Sequence, residues 1–139
     1  MLTVTVPTDT KMNLPIKLLV GVHPNYPLNR KQLNTVLKAL ENNLEKIEFF
    51  TILKETEDEQ PTKDYLLKIQ SEYKSIKSEI QIYRGDDATS ALRDRMKQSH
   101  SSFLVLQQGS RSLTDKLFRK FTINELVYRA QTPLIVLSK

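Results

Sequence analysis

The sequence predicts an α/β domain built on one open sheet of five parallel strands in the order 3-2-1-4-5, with helices on both faces. Short apolar runs of strand length alternate with segments whose apolar residues recur at helical spacing. This alternation is typical of βαβ units, whose right-handed crossovers cover a parallel sheet with helices. The chain has 139 residues, 39% of them apolar, which is the size of one domain with one core.

The first predicted βαβ unit begins with a strand over residues 16–22, a short and mostly apolar run. Apolar residues then recur at helical spacing from Leu33 to Leu44, and Asn29 is predicted to be the N-cap of this helix. The apolar run of residues 47–53 is predicted to form the second strand.

The second and third units follow with the same alternation. A helix is predicted to start at Pro61, because proline favours the first helical turn, and its apolar face continues to Ile76. Residues 80–83 form a short third strand. The paired carboxylates of Asp86 and Asp87 are explained better as the cap of a further helix than as a catalytic pair.

The last two strands flank the longest predicted helix. Residues 102–107 form the fourth strand, residues 113–129 the helix, and residues 132–137 the fifth strand. In the predicted order the fourth strand lies beside the first. This is the switch point of an open α/β sheet, where ligands bind beyond the carboxyl ends of the strands.

Residues 1–13 are predicted to be either an extra N-terminal edge strand or a linker, which leaves residues 14–139 as the α/β domain. Residues 2–6 alternate at strand period, whereas the residues after them are polar and lack periodicity. No apolar run approaches the roughly 20 residues that span a bilayer, and the N-terminus has no signal-peptide pattern. We therefore expect a cytoplasmic domain.

Composition and charge exclude some kinds of site and of binding partner. The chain has no cysteine, which excludes disulfides and thiolate metal sites. Its net charge of +5 comes from residues 93–139, which hold nine Lys/Arg and three Asp/Glu. This basic surface favours anions, but aromatics are 7% with no Trp and no nucleic-acid motif occurs, so we expect no nucleic-acid partner.

No catalytic constellation can be assigned. His23 at a predicted strand end is interpreted as a turn histidine, and His100 lies in a polar loop. The sequence lacks the glycine-rich and nucleophile motifs of nucleotide-dependent enzymes and hydrolases. We therefore expect a protein that is not an enzyme and holds no metal.

A Gly-Ser-Arg-Ser turn follows the fourth strand and precedes the long helix. Backbone N–H groups at such a turn, together with the helix dipole, can hold an anion. Two interpretations of Gly109 remain open. It either only forms the turn between the strand and the helix, or it begins an anion site. In that site the N–H groups of Ser110 and Arg111 and the hydroxyls of Ser112 and Thr122 would face the ligand.

The C-terminal third, from Phe103 to Leu137, resembles the universal stress protein family. The resemblance is carried by the strand, the Gly109 turn, the helix and the strand that starts at Pro133. Residues 16–101 match only in element order. The resemblance implies a five-stranded parallel α/β domain, which agrees with the pattern above, and nucleotide binding in some members.

Nucleotide-binding members of that family carry Gly-x2-Gly-x9-Gly-(Ser/Thr), which falls here on Gly109, Ser112, Thr122 and Ile123. Only the first glycine is present. Thr122 places a β-branched side chain where backbone approaches phosphate, and Ile123 lacks the hydroxyl that would donate to it. The aspartate that contacts the adenine end is replaced by the His-Pro-Asn sequence that starts at His23. We expect no tight cofactor, and at most weakly held ATP or a small anion at Gly109, Ser110, Arg111, Ser112 and Thr122.

The expected function is that of a non-catalytic regulatory or binding domain with a degraded ATP site. The resemblance implies a homodimer formed through the strand of residues 133–137, from Pro133 to Leu137, whose apolar edge should not stay bare. One alternative is the soluble C-terminal sensor domain of a membrane cation/proton antiporter, with the transporter in the same polypeptide. Another is an ATP-binding stress-response switch with slow hydrolysis.

Overall fold

A computed structural model of the chain shows six strands and two helices among the residues that it describes. The described residues are 3–5, 15–24, 27–53, 56, 58–84, 94, 102–107 and 134–138. The elements in chain order are β1 (Thr3–Thr5), β2 (Ile16–Gly21), α1 (Arg30–Leu40), β3 (Leu44–Leu53), α2 (Gln60–Glu72), β4 (Ser78–Arg84), β5 (Ser102–Gln107) and β6 (Leu134–Leu137).

The sheet confirms the predicted fold class. The strands lie in the order β1-β6-β5-β2-β3-β4, and β2 to β6 are all parallel to their neighbours. Numbered along the chain, these five strands have the predicted order 3-2-1-4-5. The helices predicted after β4 and after β5 lie outside the described residues.

The N-terminal segment contributes the extra edge strand, one of the two outcomes that the sequence allows. β1 pairs antiparallel with β6, with Thr3 opposite Val136 and Thr5 opposite Leu134. Strand β6 therefore lies between β5 and β1. The dimer expected through residues 133–137 requires β6 to be an edge strand, and it is not one. The homodimer itself stays a prediction, but pairing along β6 would first have to displace β1.

Helix α1 begins as predicted. The side chain of Asn29 accepts a hydrogen bond from the Gln32 N–H, at 3.1 Å, which satisfies one of the free donors of the first turn. The helix ends at Leu40, earlier than its apolar spacing suggests, because Leu44 already belongs to β3 and lies opposite Ile16 of β2.

Helix α2 carries Pro61 in its first turn, as predicted. The helix ends at Glu72, so Ile76 lies in the turn that leads into β4 rather than on the helix. Its side chain still packs against the core, which explains why the apolar spacing continues past the helix end.

Both helices pack with one face of the sheet in a single core. This core contains Leu33, Val36 and Leu37 of α1 together with Leu66 and Ile69 of α2. The other face is buried as well, and its buried side chains include Leu19, Phe50, Ile52, Leu104, Leu106 and Leu134. Burial on both faces accounts for the nearly continuous apolar runs of β2, β3 and β5.

Candidate functional site

The predicted anion site itself cannot be placed. Gly109, Ser110, Arg111, Ser112 and Thr122 all lie outside the described residues. The structure does describe the frame that leads into this site. That frame is the pair of adjacent parallel strands β2 and β5, whose carboxyl ends meet at the switch point of the sheet.

The last residue of β5, Gln107, is the centre of this frame. Its side chain is buried, and its Oε1 accepts a hydrogen bond from the Asn29 N–H at 2.8 Å. Its Nε2 donates to the Ser138 carbonyl at 3.0 Å and is 3.5 Å from the Leu137 carbonyl. One amide thus joins the end of β5 to the start of α1 and to the end of β6.

Two further side chains complete this cluster. Asn29 Nδ2 donates to the Ser138 carbonyl at 2.8 Å. Gln32 Nε2 donates to Ser138 Oγ at 2.6 Å, while Gln32 Oε1 accepts from the Ser138 N–H at 2.7 Å. We call Asn29, Gln32, Gln107 and Ser138 the amide cluster. Its members bond to one another across separations of 3 to 109 residues of sequence.

The amide cluster also uses donors of the α1 N-terminus. The Asn29 N–H bonds to Gln107, and the Gln32 N–H bonds to the Asn29 side chain. A helix N-terminus attracts anions through such N–H groups. At the start of α1, therefore, two of the N–H groups that could bind an anion are already bonded to side chains of the amide cluster.

His23 lies beside this frame, where the nucleotide-binding family members have aspartate. It lies two residues after the end of β2, and the intervening Val22 N–H donates to the Phe50 carbonyl at 2.9 Å, which extends the pairing of β2 with β3 to Val22. The His23 side chain is buried, with 8% of its surface exposed. This histidine is therefore built into the end of the sheet rather than displayed on a solvent-exposed turn.

A buried hydroxyl marks the end of β3. Thr51 is fully buried and lies opposite Ile82 of β4. Its Oγ1 has no hydrogen-bond partner within the described part of the chain. Such a group is costly, because it loses its hydrogen bonds to water on folding and receives none in return.

A buried carboxylate that the sequence reasoning missed lies on the sheet face opposite the two helices. Glu48 of β3 has 3% of its surface exposed, and its Oε2 accepts a hydrogen bond from the Tyr83 hydroxyl at 3.1 Å. The Tyr83 ring packs edge-on against Phe50, with ring centroids 5.8 Å apart. The available signal was a glutamate inside an apolar strand, because buried charges normally have partners.

An ion pair joins the two helices. Arg30 Nε donates to one carboxylate oxygen of Glu72 at 2.7 Å, and a second guanidinium nitrogen reaches the other oxygen at 3.3 Å. The hydrogen bond to Glu72 raises the pKa of Arg30. Burial raises the pKa of Tyr65 and of Tyr73 above the usual value of 10.0, opposed in part by the nearby Arg30 charge.

An open groove of about 540 Å³ lies at the far end of the sheet from the amide cluster. It is formed by the end of α1, the start of β3 and the turn between α2 and β4. Its charged side chains, among them Lys38, Glu41, Glu45 and Lys77, have both signs. It therefore shows no preference for an anion.

Two kinds of feature are missing from the described part of the chain. No group of three or more His, Asp or Glu side chains there could hold a metal ion. No helix among these residues is both long and apolar enough to cross a membrane.

Comparison with known proteins adds no assignment. No family model matches the sequence, and no curated protein or solved structure matches it either. The resemblance to the universal stress proteins consequently stays a hypothesis, carried by the residues from Phe103 to Leu137.

Proposed function

We propose that this protein is a non-catalytic regulatory or binding domain of universal-stress-protein type, with a degraded nucleotide site, that acts through self-association or a protein partner. The proposal is supported by the sheet order, which brings the ends of β2 and β5 together ahead of the Gly109 turn. It is supported further by Ser112, Thr122 and Ile123, which stand where nucleotide-binding members have two glycines and a hydroxyl residue.

The amide cluster is the structural observation that carries the proposal. A ligand site needs a few polar groups that converge on open space and are ready to bind. Here the buried amide of Gln107 is instead bonded to Asn29 and Ser138. The polar groups at the end of β5 hold the fold together, and a nucleotide would have to compete with these bonds.

Calorimetry of the full chain with ATP and magnesium tests the proposal. We expect no binding at micromolar ATP. Ser112 and Thr122 replace the two glycines whose backbone would lie close to phosphate, and Ile123 replaces the residue whose hydroxyl would donate to it. A dissociation constant of about 10 µM or tighter, which corresponds to roughly 7 kcal/mol of binding free energy, would overturn it.

A gain-of-binding variant makes the test sharper. The triple change Ser112→Gly, Thr122→Gly and Ile123→Ser restores the family pattern behind Gly109. If the site is degraded for the stated reasons, ATP should bind this variant at least about tenfold more tightly than the natural chain. The matched control adds Gly109→Val to the triple variant, which should abolish the gain because the first turn then carries a β-branched side chain. No gain in the triple variant would contradict the motif argument.

A further inference from the structure

The two edge regions of the sheet differ in whether a further strand of the described residues covers them. At one edge β6 is covered by the antiparallel strand β1. At the other edge lies β4, a strand of seven residues that pairs with β3 and with no further strand among the described residues. A long strand edge is a template for pairing with another chain.

The main-chain groups that point outward from β4 can be identified. The Ile47 N–H donates to the Lys77 carbonyl, and Ile47 lies opposite Ser78 in the register. In a parallel ladder the residues on either side of the register partner carry the bonds to the neighbouring strand. The N–H and carbonyl groups of the odd-numbered residues of β4 therefore point toward β3. Those of the even-numbered residues point outward, away from the sheet.

A side-chain bond supports this assignment. Gln70 of α2 reaches past the strand, and its Nε2 donates to the Ser78 carbonyl at 3.0 Å. The first outward carbonyl thus has a partner within the protein. The next two outward residues are Ile80 and Ile82, and within the described part of the chain no strand pairs with their N–H and carbonyl groups. We call Ser78–Arg84, with these outward groups, the β4 edge.

An exposed apolar side chain lies on the helix flank next to this edge. Leu67 is 44% exposed and is the large hydrophobic residue that the described part of the chain leaves most open to solvent. It precedes Gln70 by three residues, and residues at this spacing share one side of a helix. Since Gln70 contacts the β4 edge, Leu67 is on the same flank of α2.

We propose that the β4 edge pairs antiparallel with the β4 edge of a second copy of this chain, around a two-fold axis at Gln81. This inference deepens the self-association named in the proposed function and rests on that part of it alone. The register overlaps all seven residues of β4. Ile80 of each copy lies opposite Ile82 of the other copy. Both residues point their N–H and carbonyl groups outward, so they can form the hydrogen-bonded pairs of an antiparallel ladder.

The side chains fit the same register. Ser78 lies opposite Arg84 and Glu79 opposite Tyr83, so no like charges are directly paired across the axis. A two-fold axis perpendicular to the sheet keeps both α2 helices on the same face. The Leu67 flanks of the two helices then approach each other over the joined sheet, which covers the exposed leucine of each copy.

Cysteine cross-linking tests the register, because the natural chain has no cysteine. In the proposed dimer the two Gln81 residues form a pair without main-chain hydrogen bonds, with Cα atoms about 4.5 Å apart, close enough for a disulfide. The Gln81→Cys variant should therefore give a covalent dimer under mild oxidation. Asn34→Cys, at an exposed position on α1, is the control and should stay monomeric.

The opposite edge provides the competing outcome. A Val4→Cys variant places a single cysteine at the centre of β1. Cross-linking of Val4→Cys without cross-linking of Gln81→Cys would overturn the proposal, and so would a natural chain that sedimentation shows to be purely monomeric at about 0.5 mM, where even weak specific pairs associate.

A charge variant tests the helix flank independently of oxidation. Leu67→Glu puts two like charges near the axis and should weaken dimerisation at least about tenfold in sedimentation equilibrium. Asn34→Glu makes the same charge change on α1 and should leave dimerisation unchanged. If both variants dimerise like the natural chain, the flank is not at the interface. These readouts do not involve ATP, so their failure is distinct from a failure of the degraded-site proposal.

Discussion

Replacing Thr51 with valine should stabilise the protein. Thr51 is fully buried, and within the described residues its Oγ1 makes no hydrogen bond, so the natural chain buries a hydroxyl without compensation. Such burial costs about 1–3 kcal/mol by protein mutational data. Valine has the same shape and removes this cost without opening a cavity. We expect the free energy of unfolding to rise by roughly 1 kcal/mol, which moves the melting temperature up by about 3–5 °C in a domain of this size.

Urea unfolding followed by circular dichroism measures this change, with calorimetry as a second reading of the melting temperature. Thr51→Ser is the matched control, because it keeps the hydroxyl and removes the buried methyl group. It should destabilise the protein by about 1 kcal/mol. If Thr51→Val lowers the free energy of unfolding by 1 kcal/mol or more, the hydroxyl has a partner such as a buried water, and the reasoning fails.

Two further predictions concern the amide cluster and the tyrosines Tyr65 and Tyr73. Gln107→Leu removes the buried amide that bonds the partly buried Asn29 N–H and Ser138 carbonyl, and should cost about 1–3 kcal/mol of unfolding free energy in urea titrations. Tyr65 and Tyr73 have pKa values raised above 10.0, mainly by burial, so the folded state keeps their protons longer than the unfolded state. The stability that they contribute is therefore complete below about pH 10 and is lost as the pH rises further. A urea midpoint of unfolding that does not fall as the pH is raised above about 10, or that falls equally when both tyrosines are replaced by phenylalanine, would refute this.

The sequence contained most of what determines where the strands and helices lie, because that information is local. Short apolar runs and helical spacing predict β2, β3 and β5, and a local hydrogen bond explains why Asn29 caps α1. The errors lie at element ends. Leu44 continues the helical spacing of α1, yet pairing opposite Ile16 draws it into β3, and periodicity carries no information about such a pairing.

The site was less predictable because its interactions are not local. Most bonds of the amide cluster join residues that lie 31 to 109 positions apart, and glutamine at a strand end has many uses. The buried pair of Glu48 and Tyr83 likewise depends on the register of β3 against β4. The predicted anion residues behind Gly109 stay a prediction, because they lie outside the described residues.

Charged side chains around the β4 edge, which no strand of the described residues covers, oppose indiscriminate aggregation. Glu79 pairs with Lys46 at 2.9 Å, and Arg84 pairs with Glu59 at 3.3 Å, so charged side chains line the strand. Charged residues on an edge strand discourage indiscriminate pairing, because they lose water on association and because some registers set Glu79 or Arg84 opposite its own copy.

The register centred on Gln81 avoids this penalty, since it sets Glu79 opposite a tyrosine and Arg84 opposite a serine. Among the registers in which outward-facing residues meet, this one overlaps the whole of β4 without pairing like charges. At the other edge, β6 has mostly buried side chains and no charged residue, and it is covered by β1 of its own chain. An edge without charges has to be covered within the molecule, whereas an edge with selective charges can be kept for a partner.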